Sequence, residues 1–146
     1  MSLIKLAIDR QSRRLVTYNG SASSLPDLFQ GNNQSFQIQF VDPATSGLGT
    51  YTPVDMAGTG LRVSIGATPT GTAGSPTPLA IQNTWTWNSG ANQKYFTGSI
   101  ALNVAAIDSF IGTAAQATAY FEINSTSGGD RITELQTQCT LKAVKS

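Results

Sequence analysis

Apolar and polar side chains alternate with a period of two in segment after segment of this chain, the spacing of strands with one buried face. The clearest early case is residues 35–41, where Phe36, Ile38 and Phe40 are separated by Gln37 and Gln39. The outward face there is amide, not charge, and Pro43 ends the run because proline cannot donate to a ladder. Ile4, Leu6 and Ile8 share one face of a first strand, 9–12 is a turn, and Leu15 to Tyr18 returns beside it. Leu61, Val63 and Ile65 mark another strand, as do Phe96, Gly98, Ile100 and Leu102. Residues 81–87 read as one strand with Ile81, Trp85 and Trp87 on one face, joined to the next by a hairpin through Tyr95. Ala117, Ala119, Phe121 and Ile123 and then Leu135, Cys139 and Leu141 give the last two strands, around a turn at Gly128-Gly129.

One segment breaks the period. Asn103 suits a helix N-cap, Val104, Ile107, Phe110 and Ile111 recur at helical spacing, and Gly112 suits the position past the end. The pattern as a whole predicts an all-β chain, an antiparallel β-sandwich of immunoglobulin-like or jelly-roll-like type with about eight strands and one short α-helix near 103–111. At 146 residues it fits a single domain over 1–146. Residues 67–78, with three prolines and no large apolar side chain, form an exposed loop, and 42–60 is a long connection anchored by Tyr51, Val54 and Met56.

Composition sharpens this picture. Charged residues are only 12% of the chain against about 25% in typical domains, so the polar surface is built from Ser, Thr, Asn and Gln. Such a surface packs against protein at little desolvation cost, which favours an assembly subunit. A net charge of +1 provides no field for nucleic acid or an anionic membrane. The local cluster Arg10, Arg13 and Arg14 reads as a charged turn, with a salt bridge to a neighbouring subunit as the other reading. Cys139 is the only cysteine, so no intrachain disulfide forms, and its alternating neighbours make it a small buried apolar residue. The first ten residues, broken by Lys5 and Asp9, make neither a signal-peptide core nor a span, so synthesis in a reducing cytosol is expected.

The chain has no histidine, which removes the usual general base, the triad imidazole and the commonest zinc ligand. Glu122 and Glu134 are the pair to weigh as a glycosidase acid and nucleophile, since the last hairpin brings them near each other. Both fall at outward positions, where they are ordinary surface residues lacking the burial that raises an acid's pKa. The aspartates lack calcium-loop spacing, and the glycine pairs lack the lysine and helix of a phosphate loop. No catalytic residue, metal ligand or cofactor is expected. Trp85 and Trp87 carry three readings: core packing, an intersubunit contact, or, with Tyr95, a platform for sugar rings.

The turn and strand chemistry also carries a resemblance. Ile-Asp-Arg at 8–10, Arg-Leu-Val at 14–16, and Leu-Pro-Asp-Leu-Phe-Gln-Gly-Asn at 25–32 before the Gln-faced strand resemble small β-sandwich domains of tailed-phage virion proteins. The N-terminal domain of siphophage upper baseplate proteins is similar. Phe29, Gln30, Gly31 and Asn32 match its first turn, with Asn32 in place of the usual Asp. Val54, Asp55, Met56, Ala57 and Gly58 match its second, and 95–103 followed by a helix and Ala-Tyr-Phe-Glu-Ile look like its later strands. The chain departs from that pattern by ending after the sandwich, with no stalk or receptor-binding head. The resemblance implies a non-enzymatic bacteriophage structural protein, located in the virion and made in the host cytoplasm. Its role is capsid cement or decoration, or tail or baseplate attachment. Its partners are itself, as a homo-oligomer with a trimer favoured, and a larger virion protein, a major capsid or a tail or baseplate protein; no nucleic acid or membrane is involved. Candidate contact residues are Arg10, Arg13, Arg14, Tyr51, Pro69 and Pro76. The alternative is a carbohydrate-binding module of a phage adhesion apparatus using Trp85, Trp87 and Tyr95.

Overall fold

The computed structural model describes residues 3–16, 25–43, 51–68, 78–89 and 94–143. The alternating segments form two sheets. In the first, β1 (Leu3–Asp9) lies between β2 (Arg14–Val16) and β4 (Asn33–Pro43), and β4 pairs in turn with β9 (Tyr95–Ala101), which carries β8 (Thr86–Asn88) at the edge. A short strand, β5 (Tyr51–Pro53), adds to the end of β4. In the second sheet the order is β3 (Leu28–Phe29), β11 (Asp130–Lys142), β10 (Gln116–Ser127), β6 (Gly60–Gly66) and β7 (Ala80–Gln82). The all-β sandwich is thus present, with eleven strands among the described residues.

It is not purely antiparallel. β1 runs parallel to β4, from Leu3 opposite Ser35 to Asp9 opposite Val41, and β3 runs parallel to β11. The physical reason lies in the order of the strands: β2 is a short hairpin return in the first sheet, β3 already belongs to the second, and β4 comes back to the first beside β1. A parallel pair needs such a crossover, because a tight turn can join only antiparallel neighbours.

The inner faces meet in one core. Phe36, Ile38, Phe40, Phe96 and Ile100 from the first sheet pack with Val63, Ile65, Phe121, Ile123 and Leu141 from the second. Phe36 and Phe121 bridge the sheets with ring centroids 5.6 Å apart. Cys139 is part of this core, and burial pushes its thiol up to about 12.

α1 (Ala105–Ile111) closes one end, with Ile107 and Ile111 buried. Its N-cap is Val104, without a side-chain cap bond, where Asn103 was expected; Asn103 is exposed one position too early. Gly112 takes a positive φ of 60° just past the end, as its position implies. Residues 81–87 are also not one strand. Ile81 belongs to β7 and Trp87 to β8, in different sheets, so the chain crosses the sandwich between them. The length of the alternating run concealed that crossing, since a strand and a corner share the same spacing over a few residues.

Candidate functional site

The β1–β2 turn is built around Asp9, whose Oδ1 accepts from the backbone N–H of Gln11 at 2.8 Å and of Ser12 at 3.3 Å. The Arg13 N–H closes the turn on the Asp9 carbonyl at 2.7 Å. Arg13 takes φ 59°, the left-handed conformation that non-glycine residues rarely adopt, and it is the one non-glycine residue with positive φ among those described. This turn aims two guanidinium groups across the end of the sandwich.

Their target is Glu134. Arg13 Nη1 lies 2.7 Å from Oε1 and Arg10 Nη2 lies 3.1 Å from Oε2, while Ser125 Oγ donates to Oε2 at 2.8 Å. Arg13 Nη1 also donates to the carbonyl of Thr133 at 2.9 Å. The Glu134 side chain is fully buried, which corrects its expected place as an outward surface residue. The cause is a β-bulge: Ile123 opposes Leu135, Asn124 opposes Thr133, and Glu134 is the extra residue between, turned inward beside Leu135. The arrangement pins the two sheets together by charge. Only Glu134 is fully buried; Arg10 and Arg13 keep 32% and 44% of their side chains exposed, and loss of either leaves Glu134 partnered by the other arginine and by Ser125.

Glu122 keeps the outward face, in a row with Ser64 and Gln136, but it too is buried rather than surface-exposed, at 5% exposure. Its Oε1 accepts from Asn124 Nδ2 at 2.9 Å and Thr133 Oγ1 at 3.2 Å, and Asn124 Oδ1 accepts from Arg62 Nη1 at 3.2 Å. The Arg62 guanidinium is held below its usual range by partial burial first and by Arg131 second, with Glu122 opposing both. The two carboxylates therefore stand on opposite faces of the second sheet, each in its own hydrogen-bond set. Among the described residues no group of three acidic, cysteine or histidine side chains gathers as a metal site.

Trp85 and Trp87 lie on the core side. The Trp85 ring covers Gly98 and its Nε1 donates to the Gln82 carbonyl at 3.0 Å; the Trp87 ring packs on Phe96 with centroids 4.8 Å apart. Both are partly buried, as is Tyr95 at the start of β9. Of the other residues singled out from the sequence, Arg10 and Arg13 are engaged within the chain on Glu134, and Arg14 is exposed. Tyr51 is placed by its backbone in β5, and Pro69 and Pro76 lie outside the described residues. Gln37 is half-buried, and Gln39, expected on an outward amide face, is buried at 4% exposure. It stands beside Ala7 of β1 in the ladder, near a small cluster of Ala7, Val16 and Val41 on that outer side.

The Phe29-Gln30-Gly31-Asn32 turn is a junction between the layers. Gln30 N–H donates to the Lys142 carbonyl, Gly31 N–H to the Leu102 carbonyl, and Leu102 N–H to the Asn32 carbonyl, at 2.8–3.1 Å. Gln30 Nε2 adds a 2.7 Å bond to Asp108 of α1. Gly31 allows this path at φ 87°, where a side chain is disfavoured. Beside it, an open cleft of about 470 Å³ runs between residues 3–5 and 26–29, with Leu3 and Phe29 exposed on its rim. The Val54–Gly58 turn is held by Asp55 Oδ1 accepting from Ala57 N–H at 2.9 Å, and it leads directly into β6.

No protein-family model and no curated protein matches the chain. Among solved structures it is similar to the N-terminal domain of phage TP901-1 ORF48, with 14% identity over 99% of this chain and 100% of that chain, at a TM-score of 0.44.

Proposed function

We propose that this chain is a non-enzymatic structural subunit of a tailed-phage virion, a capsid cement or decoration protein or a tail or baseplate attachment subunit. The observation that carries the reading is how the reactive groups are used. Glu134 is neutralised by two arginines, Glu122 is committed to Asn124 and Thr133, and the Cys139 thiol is buried. Away from the turn end of the hairpin, the exposed side chains of β10 and β11, Gln116, Thr118, Gln136 and Gln138, are amides and a hydroxyl, suited to protein contact. The turns that carry the phage resemblance, 29–32 and 54–58, both lie at junctions: the first bonds to Lys142 and Leu102, and in the second the Val54 N–H donates to the Phe40 carbonyl shortly before β6. The subunit acts as a homo-oligomer, a trimer in the favoured form, on a larger virion protein, with multivalency compensating for weak single contacts.

The test is made on particles. Virions assembled without the protein are expected to rupture at lower temperature or milder osmotic shock in the cement role, or to lose a tail component in the attachment role. Particles that lack it yet assemble, survive and infect like the parent would overturn the proposal.

A further inference from the structure

For a virion subunit that docks on a larger protein, as proposed, we infer that Arg62 and Arg131 form a two-guanidinium clasp on the outer face of the second sheet, and that this clasp receives an aspartate or glutamate side chain of the larger protein. The register fixes its place. Arg62 of β6 stands opposite Asn124 of β10, and Asn124 opposite Thr133 of β11; the next row on the same face, toward the hairpin tip, is Gly60, Thr126 and Arg131. The side-chain bonds of Asn124 and Thr133 to Glu122 put these rows on the outer side of the sheet. Arg62 and Arg131 are thus two strands and two residues apart, about 12 Å between backbones, a gap that two arginine side chains span.

The fold aims one of the two and leaves the other unpaired. Arg62 is half-buried and leans over β10, where its Nη1 donates to Asn124 Oδ1 at 3.2 Å. Asn124 is itself buried and fixed by its Nδ2 bonds to Glu122 Oε1 at 2.9 Å and Thr133 Oγ1 at 3.2 Å. The Arg62 fork is therefore held toward β11 in advance, and Asn124 occupies only part of it. Arg131 is exposed and makes no ion pair or hydrogen bond among the described residues. After burial, its charge is the larger of the influences that hold the Arg62 guanidinium below its usual range, against Glu122. A guanidinium that repels its neighbour adds nothing to the fold, whereas an anion between the two attracts both. The tip side of the clasp is kept low: a side chain at Gly60 would meet the Thr126 hydroxyl, and glycine stands there.

The occupant follows from the charge. Arg62 and Arg131 set against Glu122 leave one positive charge in surplus on this part of the face, which a single carboxylate neutralises, and guanidinium forks match a planar carboxylate with paired hydrogen bonds. A nucleic-acid backbone needs a run of cations, but further along the same face Thr118, Gln136 and Gln138 are uncharged. Those hydroxyl and amide groups suit protein contact around one ion pair.

The experiment adds purified full-length parent, Arg131→Gln and Lys5→Gln back to particles assembled without the protein, and measures the bound amount over a concentration series. Arg131 and Lys5 are both exposed, so the three proteins are expected to fold alike, which a cooperative melt checks. A second set of particles has its carboxylates amidated with carbodiimide and methylamine. On untreated particles Arg131→Gln is expected to bind about tenfold more weakly than the parent and Lys5→Gln as the parent does; on amidated particles the parent falls to the level of Arg131→Gln or below. If Arg131→Gln binds untreated particles as the parent does, if Lys5→Gln weakens as much, or if the parent keeps its advantage on amidated particles, the clasp is overturned while the virion-subunit reading stands. A parent that binds no particles overturns both.

Discussion

Gly98 to alanine sets two opposed effects against each other. Alanine in a strand normally stabilises relative to glycine by about 0.5–1 kcal/mol, because less backbone freedom is lost on folding. At this position, however, the new methyl would lie 2.6 Å from Cε3, 2.9 Å from Cζ3 and 3.0 Å from Cδ2 of Trp85. Carbon atoms prefer about 3.5–4.0 Å, so the indole must retreat by roughly 1 Å. It cannot do so freely, since its Nε1 donates to the Gln82 carbonyl and its ring packs against the core. Overpacking costs about 1–3 kcal/mol and the strained hydrogen bond about 1 kcal/mol, so the clash wins and the net loss is about 1–3.5 kcal/mol. In a domain of this size that lowers Tm by roughly 3–11 °C. Urea unfolding followed by far-UV circular dichroism measures the loss. The decisive arm is the same substitution in a Trp85→Ala background, where the obstacle is gone and the alanine should stabilise by about 0.5 kcal/mol. A Gly98→Ala variant that stabilises the parent, or costs the same in both backgrounds, would refute the placement of Trp85 over β9.

Two further predictions rest on single residues. Because the folded Cys139 thiol titrates at about 12 against an ordinary 9.0, the folded state holds its proton while the unfolded state releases it; stability therefore falls as pH rises from about 9 towards 12. The slope attributable to this group is about 1.4 kcal/mol per pH unit, and Cys139→Val should remove that share of the alkaline loss in pH-dependent urea titrations. At the β10–β11 turn Gly128 has φ 59° and Gly129 φ 90°, with nothing within 4 Å of either added methyl, so only the backbone decides. Gly128→Asn creates the Asn-Gly turn favoured for such hairpins and should leave Tm unchanged or higher, whereas Gly129→Ala should lose about 1–2 kcal/mol.

The alternation exposed most of the strands because a half-buried sheet imposes its period directly on the side chains. Phe36, Ile38 and Phe40 are all at 1% exposure or less, and Phe121 and Ile123 at 0%. What it did not expose was pairing partner and direction, which depend on residues far apart in sequence. Nothing in the spacing of Leu3 to Asp9 distinguishes a parallel neighbour at β4 from an antiparallel one. Glu134 escaped for a different reason. The two-residue turn sets Ser127 opposite Asp130, and continuing that register unbroken would put Glu134 opposite the buried Ile123. The conflict between turn and pattern was the available signal of a bulge, and with it of an inward carboxylate. The arginines that answer it come from 124 and 121 positions away, so their role depended on the tertiary fold. The tryptophans were legible as core candidates, but the corner between β7 and β8 was hidden by an alternation that runs across it.

The division of strands between the sheets bears on how the chain is made. Every strand of the first sheet ends by Ala101, while the second sheet cannot be completed until β10 and β11 exist. During synthesis at ~5–20 residues per second, roughly 2–8 s separate the two events. For that interval the faces of Phe36, Phe40, Phe96 and Ile100 are opposed only by β3, β6 and β7, without Phe121, Ile123, Leu135 and Leu141 of β10 and β11. The β10–β11 hairpin is therefore the lid of the core, and until it emerges that apolar face is only partly covered.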